Sequence, residues 1–127
     1  MDGAILLDTD VMVDYLRGHG QARTFLKAHA ARAILSVVTV AELYAGVKGN
    51  AEQAALDEVV SLFRIVPVTA DIARAGGLLK REYGKSHGVG LADAIIAATA
   101  QFENARLATL NVKHYPMLPG LKAAYPK

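Results

Sequence analysis

Four side chains with oxygen donors, spread along the whole chain, are the residues best suited to chemistry: Asp8, Glu42, Asp93 and Asn111. Asp8 and Asn111 each follow a short apolar run that predicts a strand, whereas Glu42 and Asp93 lie in the first turns of predicted helices. In a parallel sheet, strand ends and the helix N-termini that follow them share one edge. Oxygen donors without cysteine or paired histidines favour Mg²⁺ or Mn²⁺ over zinc. The pattern therefore predicts a divalent-metal site at that edge.

Each of these residues also has a purely structural explanation. Asp93 is the only charged residue of a helix rich in Ala and Ile, and the free N–H groups of a first turn could satisfy it there. Glu42 could close a capping box with Thr39, and Asp8 could cap the helix that follows it. The asparagine is a common turn residue after a strand. Their shared position, and no single residue, favours the metal site.

Hydrophobic periodicity supplies the elements that must position these side chains. Apolar runs predict strands over 4–7, 33–37, 65–68 and 106–110, and periodic segments predict helices over 11–16, 21–30, 39–45, 51–62, 69–82 and 91–102. Pro67 indicates either an edge position for the third strand or the end of that strand. Residues 85–90 are predicted as a loop, and Asp14 is expected on a solvated helix face. Alternating strands and helices predict a three-layer α/β/α sandwich with a mostly parallel sheet, in one domain over 1–127.

Composition excludes several classes of protein. The chain has 127 residues, is 53% hydrophobic and contains no cysteine, which excludes a disulfide scaffold, a thiolate zinc site and a thiol nucleophile. The first apolar run stops at Leu7, too short for a signal peptide, and no apolar stretch approaches the ~20 residues that span a bilayer. A cytoplasmic protein without a membrane segment is the expectation.

The charge balance is mildly basic, with 14 Lys and Arg against 12 Asp and Glu. If Asp8, Glu42 and Asp93 gather in one pocket, 9 acids face 14 bases over the rest of the molecule. A basic surface around an acidic pocket suits a polyanion whose phosphates bridge to cations held there. Many small proteins are equally basic without such a ligand, so charge alone does not decide the partner.

Four motifs in order along the chain resemble those of PIN-domain ribonucleases, and specifically of VapC-type toxins. They are Ile5-Leu6-Leu7-Asp8-Thr9, Thr39-Val40-Ala41-Glu42-Leu43, Gly90-Leu91-Ala92-Asp93-Ala94-Ile95-Ile96-Ala97-Ala98-Thr99-Ala100 and Thr109-Leu110-Asn111. The resemblance implies a PIN fold and an endoribonuclease that depends on Mg²⁺, with Mn²⁺ as a substitute. It also implies an RNA substrate and a cognate antitoxin. A homodimer is expected as well.

The resemblance assigns roles residue by residue. Asp8, Glu42 and Asp93 correspond to the acidic metal ligands, and Asn111 corresponds to the fourth catalytic position. Thr9 and Thr39 would be polar supports. Asp10 is expected from its position alone, two residues after Asp8, to contact the ligands without binding the metal itself. Many family members have Asp where this chain has Asn111, and an Asp often follows where it has His114. An amide brings no negative charge, so tight binding of a second metal is not expected.

Two other interpretations stay open. Asp8 and Asp10, in Leu7-Asp8-Thr9-Asp10-Val11, resemble the paired aspartates of haloacid-dehalogenase-like phosphatases, in which Asp8 would attack phosphorus and Asp10 would be the general acid. The chain is short for that family and lacks its closely spaced second pair of acids. A non-catalytic PIN-like binding module is the other alternative, motivated by Asn111.

Overall fold

A four-stranded parallel sheet forms the centre of the molecule. The computed structural model describes residues 3–127. Its strands are β1 (Ile5–Leu7), β2 (Ala33–Ser36), β3 (Arg64–Val66) and β4 (Arg106–Ala108), in the order β3-β2-β1-β4. All three pairings are parallel, with Ile5 opposite Ala33 on one side of β1 and Arg106 on the other. The predicted edge position of the strand before Pro67 is confirmed, because β3 ends the sheet.

Six α-helices cover the two faces of this sheet. They are α1 (Thr9–Leu16), α2 (Gly20–His29), α3 (Val37–Ala45), α4 (Asn50–Val60), α5 (Ala70–His87) and α6 (Leu91–Phe102). Short 3-10 turns occupy Ala30–Arg32 and Val112–His114. Within residues 3–127, none of the helices has the length and apolar character needed to cross a membrane.

Alternation along the strands divides the core into two layers. Ile5 and Leu7 pack into a cluster with the buried residues of α1, α2, α3 and α4, whereas Leu6 packs into a second cluster with those of α6. This alternation follows from the pleat of a strand, whose successive side chains point to opposite faces. Because both faces are covered, the central strand is apolar at every position. The predicted three-layer α/β/α sandwich with a parallel sheet is confirmed.

The helix that carries Glu42 begins earlier than its sequence indicates. Ser36, the last residue of β2, caps α3 by accepting a hydrogen bond from the Val38 N–H at 3.0 Å. Thr39 is therefore inside the helix and Glu42 lies in its second turn, so the predicted capping box of these two residues is wrong. The reason is that a serine at a strand end offers an equally good cap three residues sooner.

Two further local predictions are wrong. The helix α5 continues through His87 and ends on Gly88, whose φ of +65° gives the left-handed conformation that glycine adopts readily, so only 88–90 form the loop. Asp14 is buried and not solvated, because the chain's tail folds over it: the Tyr125 hydroxyl and the Lys127 ammonium donate to its carboxylate at 2.7 and 2.8 Å. Such a long-range contact has no local sequence signal.

Candidate active site

Asp8 stands between β1 and α1 at the carboxyl edge of the sheet. It is 5% exposed, and its Oδ1 caps α1 by accepting from the Thr9 N–H at 2.8 Å. Its Oδ2 accepts from the hydroxyls of Thr109 and Tyr115, each at 2.8 Å. Burial, assisted by the charge of Asp10, raises the pKa of Asp8 to about 6 in spite of these donors. The chain thus buries a carboxylate, whose charged form is unfavourable in free energy away from water, at the end of its central strand.

Asp93 reaches the same hydroxyl from the other side of the fold. It lies in the first turn of α6, as predicted, and its Oδ1 is 3.3 Å from the Tyr115 hydroxyl oxygen. Its Oδ2 is 3.1 Å from Nδ1 of His114. Burial, followed by the charges of Asp8 and Asp93, raises the pKa of the Tyr115 phenol, so the hydroxyl stays protonated and donates. Tyr115 therefore brings the two carboxylates together.

Glu42 joins this pair through the residue next to Asp8. The Thr9 hydroxyl donates to Oε1 of Glu42 at 2.6 Å, and it lies 3.2 Å from the Thr39 hydroxyl. Thr39 is fully buried and Glu42 is exposed. Thr9 therefore gives an exposed acid a fixed partner, and Thr39 contacts Thr9 and not Glu42 itself.

Asp10 and Asn111 meet at the turn after β4. Oδ2 of Asp10 accepts from the Leu110 N–H at 2.9 Å and its Oδ1 accepts from the Val11 N–H at 2.8 Å, while burial raises the pKa of its carboxyl group. The Asn111 N–H donates to the Thr109 hydroxyl at 3.0 Å, and the Asn111 side chain is exposed. Asp10 therefore anchors the turn that carries Asn111.

Sequence reasoning missed Tyr115, and it named His114 only as a departure from the family pattern. Neither belongs to a spacing that indicates a ligand, and both reach Asp93 only because the 3-10 turn before Tyr115 folds back under α6. Tyr115 is 1% exposed and looks like an ordinary core aromatic in the sequence. Only its hydroxyl, placed among acids, distinguishes it.

The donors gathered here suit a hard divalent cation. Within residues 3–127, no Lys or Arg forms an ion pair with Asp8, Glu42 or Asp93, so their charges are met by hydroxyls, a backbone N–H and His114. In that same part of the chain, no three acids or histidines already converge on a single ion position. The chemistry of the donors fits Mg²⁺ or Mn²⁺, and side chains would have to move for three of them to share one ion.

Known proteins share this sequence and this fold. The family model described as "PIN domain" matches residues 5–115. Ribonuclease VapC10 of Mycobacterium tuberculosis is 42% identical over 124 residues, which cover 95% of this chain and 92% of that protein. Ribonuclease VapC19 of the same organism is also 42% identical, with 94% of this chain and 98% of that protein covered.

The solved structures agree with the sequence relatives. A toxin–antitoxin complex from Klebsiella pneumoniae has a chain that superposes with a TM-score of 0.83 at 30% identity, covering 96% of this chain and 98% of that one. The likeness therefore extends over nearly the whole length of both chains. The chain belongs to the PIN-domain family, among its VapC-type members.

Proposed function

We propose that this chain is an endoribonuclease that depends on a divalent metal ion and is the toxin of a toxin–antitoxin pair. The observation that carries the proposal is the meeting of Asp8 and Asp93 on one hydroxyl, with Glu42 tied to the residue next to Asp8. Relatives that are 42% identical over nearly the whole chain are named ribonucleases, which supports the same activity here.

The proposed metal ligands and their neighbours have different roles. Asp8 and Asp93 would hold Mg²⁺ or Mn²⁺ through carboxylate oxygens, and Glu42 would complete the acidic set. A bound divalent ion supplies a water of lowered pKa and withdraws charge from the scissile phosphate. Thr9, whose hydroxyl also contacts Thr39, orients Glu42, and Asp10 holds the turn that presents the exposed Asn111 to substrate. Such sites need no protein nucleophile.

The proposed reaction is hydrolysis of an RNA phosphodiester. The water oxygen bonds to phosphorus, the bond from phosphorus to the 3′ oxygen breaks, and that oxygen takes up a proton. The products are one fragment with a 5′-phosphate and one with a 3′-hydroxyl. The excess of basic residues outside the acidic set favours a polyanionic substrate.

A groove beside the site is the proposed seat of an antitoxin segment. It has a volume of about 500 Å³, lies between α1, α3 and α4, and includes Glu42 in its wall together with Val13, Leu43 and Leu56. A segment lying there would cover an acidic ligand and so block the site. The solved chain from Klebsiella pneumoniae comes from a toxin–antitoxin complex, which supports this partner.

No residue of α2, a helix that lies wholly within the described residues, lines this groove. Phe25 of α2 lines a second pocket, beside β4 and the C-terminal tail. The Tyr44 hydroxyl donates to Asp57 at 2.5 Å and links α3 to α4.

We also propose that the chain forms a homodimer. Light scattering at micromolar concentration tests this, and a monomeric mass would contradict it.

The decisive experiment incubates the purified chain, free of any antitoxin, with RNA and Mg²⁺ or Mn²⁺. We expect cleavage that EDTA abolishes, products with 5′-phosphate ends, and loss of activity in Asp8→Asn and Glu42→Gln. Cleavage no greater than that of the Asp8→Asn control would leave a non-catalytic PIN-like module as the better description.

The phosphatase alternative has little structural support. Both carboxylate oxygens of Asp10 accept hydrogen bonds from backbone N–H groups, of Val11 and of Leu110, so the side chain is engaged in joining α1 to the turn after β4. The pattern of that family is D-x-D-x-[TV], with Thr or Val four residues after the first Asp, and this chain has Met12 there. Activity lost in Asp10→Asn but kept in Glu42→Gln would nevertheless favour it.

A further inference from the structure

The Tyr115 hydroxyl controls how Asp8 can present itself to a cation. We propose that Tyr115 is a positioning residue that limits Asp8 to coordination through one oxygen, and that this makes the site select Mg²⁺ and Mn²⁺ over Ca²⁺. The inference rests on the proposed metal-dependent function and adds a determinant of ion choice to it.

Oδ2 of Asp8 already accepts as many hydrogen bonds as it has lone pairs. A carboxylate oxygen offers about two lone-pair sites, and Oδ2 accepts from both the Thr109 and the Tyr115 hydroxyls at 2.8 Å. Each hydroxyl has a single proton and a second acceptor farther away at 3.3 Å, Asp10 for Thr109 and Asp93 for Tyr115. Both protons therefore go to Asp8, and Oδ2 has no lone pair left for a metal ion.

Oδ1 of Asp8 keeps a lone pair that could bind a cation. It accepts from the Thr9 N–H at 2.8 Å, an adjacent backbone group that leaves the other lone-pair site of this oxygen open. Asp93, which lies on the same hydroxyl, is part exposed and faces the same region. A cation shared by these two acids would therefore meet Asp8 through Oδ1 alone.

The side chain of Tyr115 is held in place by its surroundings. It is 1% exposed, it packs in the cluster that contains Leu6 and Ile96, and its backbone N–H donates to the Val112 carbonyl at 3.0 Å. A side chain so enclosed has few alternative rotamers. The hydroxyl is consequently a fixed part of the site.

Ion chemistry turns this constraint into selectivity. Mg²⁺ requires near-octahedral geometry with single oxygens at about 2.0–2.1 Å, whereas Ca²⁺ takes more ligands at about 2.3–2.6 Å and often binds both oxygens of a carboxylate. An Asp8 restricted to Oδ1 suits the smaller ion. Without the phenolic hydroxyl, Oδ2 regains a lone pair and the carboxylate can turn to bind through both oxygens.

The test measures binding of MgCl2 and CaCl2 to the full chain by isothermal titration calorimetry. In Tyr115→Phe we expect Mg²⁺ to bind about tenfold more weakly, the lower end of the losses seen when outer hydrogen bonds of metal ligands are removed. Ca²⁺ should bind as well as before or more tightly, so the ratio of the two dissociation constants shifts toward Ca²⁺.

Tyr125→Phe is the matched control. It removes a buried phenol that donates to another aspartate, Asp14, at 2.7 Å and touches none of the proposed ligands. Both variants should lose a similar amount of thermal stability, but only Tyr115→Phe should change the ion ratio. Thr109→Val removes the other donor to Oδ2 and should shift the ratio in the same direction if Tyr115→Phe does not fold.

The titrations distinguish a failure of the role proposed for Tyr115 from a failure of the metal-dependent function. An unchanged ratio in Tyr115→Phe, or an equal loss for both ions, would overturn the positioning role while leaving the metal site intact. A wild-type chain that binds neither ion would overturn the metal-dependent function itself, and this inference with it.

Discussion

The hydroxyl of Thr9 donates to Oε1 of Glu42 across 2.6 Å, linking the start of α1 to the second turn of α3. Glu42 is exposed, so this contact is what gives a long and flexible side chain a defined position. Thr9 directly follows Asp8, and the same backbone turn therefore positions two of the proposed ligands.

Replacing Thr9 with Val tests this link. The variant keeps the shape of the side chain but removes the donor, so Glu42 should be held less firmly and RNA cleavage should fall about tenfold. Stability should change by about 1 kcal/mol or less, because the lost hydrogen bond is part exposed. Steady-state cleavage rates and thermal unfolding measure the two effects.

Two controls accompany this variant. Thr9→Ser keeps a hydroxyl and should retain most of the activity. Thr24→Val removes an exposed hydroxyl that donates to the Gly20 carbonyl of α2, far along the chain from the ligands, and should leave cleavage unchanged. Full activity in Thr9→Val would show that the contact with Glu42 has no functional role.

The packing of α5 on α6 makes a second prediction. A Cβ added at Gly76 would lie 2.8 Å from Cγ1 and 3.0 Å from Cα of Ile95, distances that force the helices apart. Gly76→Ala should therefore lower the free energy of unfolding by about 1–3 kcal/mol. Denaturant titration of the purified variant measures it.

Gly77 provides the matched control for this substitution. A Cβ at the neighbouring Gly77 meets nothing within 4 Å, and alanine is the better helix former by about 1 kcal/mol. Gly77→Ala should leave stability unchanged or raise it. Equal effects of the two substitutions would contradict the close approach of α5 to α6 at Gly76.

The contacts of Asp14 with the C-terminal tail lead to a prediction about how folding stability depends on pH. The hydrogen bond from Lys127, then that from Tyr125, lowers the pKa of Asp14 despite its burial. Since the folded pKa is below the unfolded value of about 3.9, the contribution is present above that pH and is lost as pH falls through the folded pKa. The chain should therefore lose stability below about pH 4.

Lys127→Met should weaken that response. Without the ammonium, the pKa of Asp14 moves up and part of the acid-sensitive stability disappears, which thermal unfolding from pH 3 to pH 7 measures. Lys122→Met removes a charge from an exposed lysine of the same tail and should leave the pH profile as in the wild type. Identical profiles for both variants would mean that Lys127 does not stabilise Asp14.

Much of this fold is predictable because its signals are local. Apolar runs identified all four strands to within about two residues, a margin usual for element ends. The helix over Leu91–Phe102 was predicted with the bounds it has, because Gly90 precedes it and the apolar run ends with it. Asp8 and Asp93 lie at the predicted strand end and helix start, whereas Glu42 lies one turn farther into its helix than predicted.

The rest depends on contacts between distant parts of the chain. Ser36 and Thr39 are both good caps, and only the end of β2 decides between them. Asp14 resembles a surface acid until the tail returns to cover it. Tyr115 gives no signal as a site residue, since its hydroxyl meets Asp8 and Asp93 only after the sheet has formed.

The most direct test of the central claim is the position of the metal ion itself. Crystals of the chain soaked in MnCl2 should show one anomalous difference peak at the carboxyl edge of the sheet, within about 2.5 Å of oxygens from Asp8 and Asp93. An Asp8→Asn crystal treated in the same way should lose that peak. A wild-type map with no peak beside these two residues, or with its strongest peak elsewhere, would contradict the account.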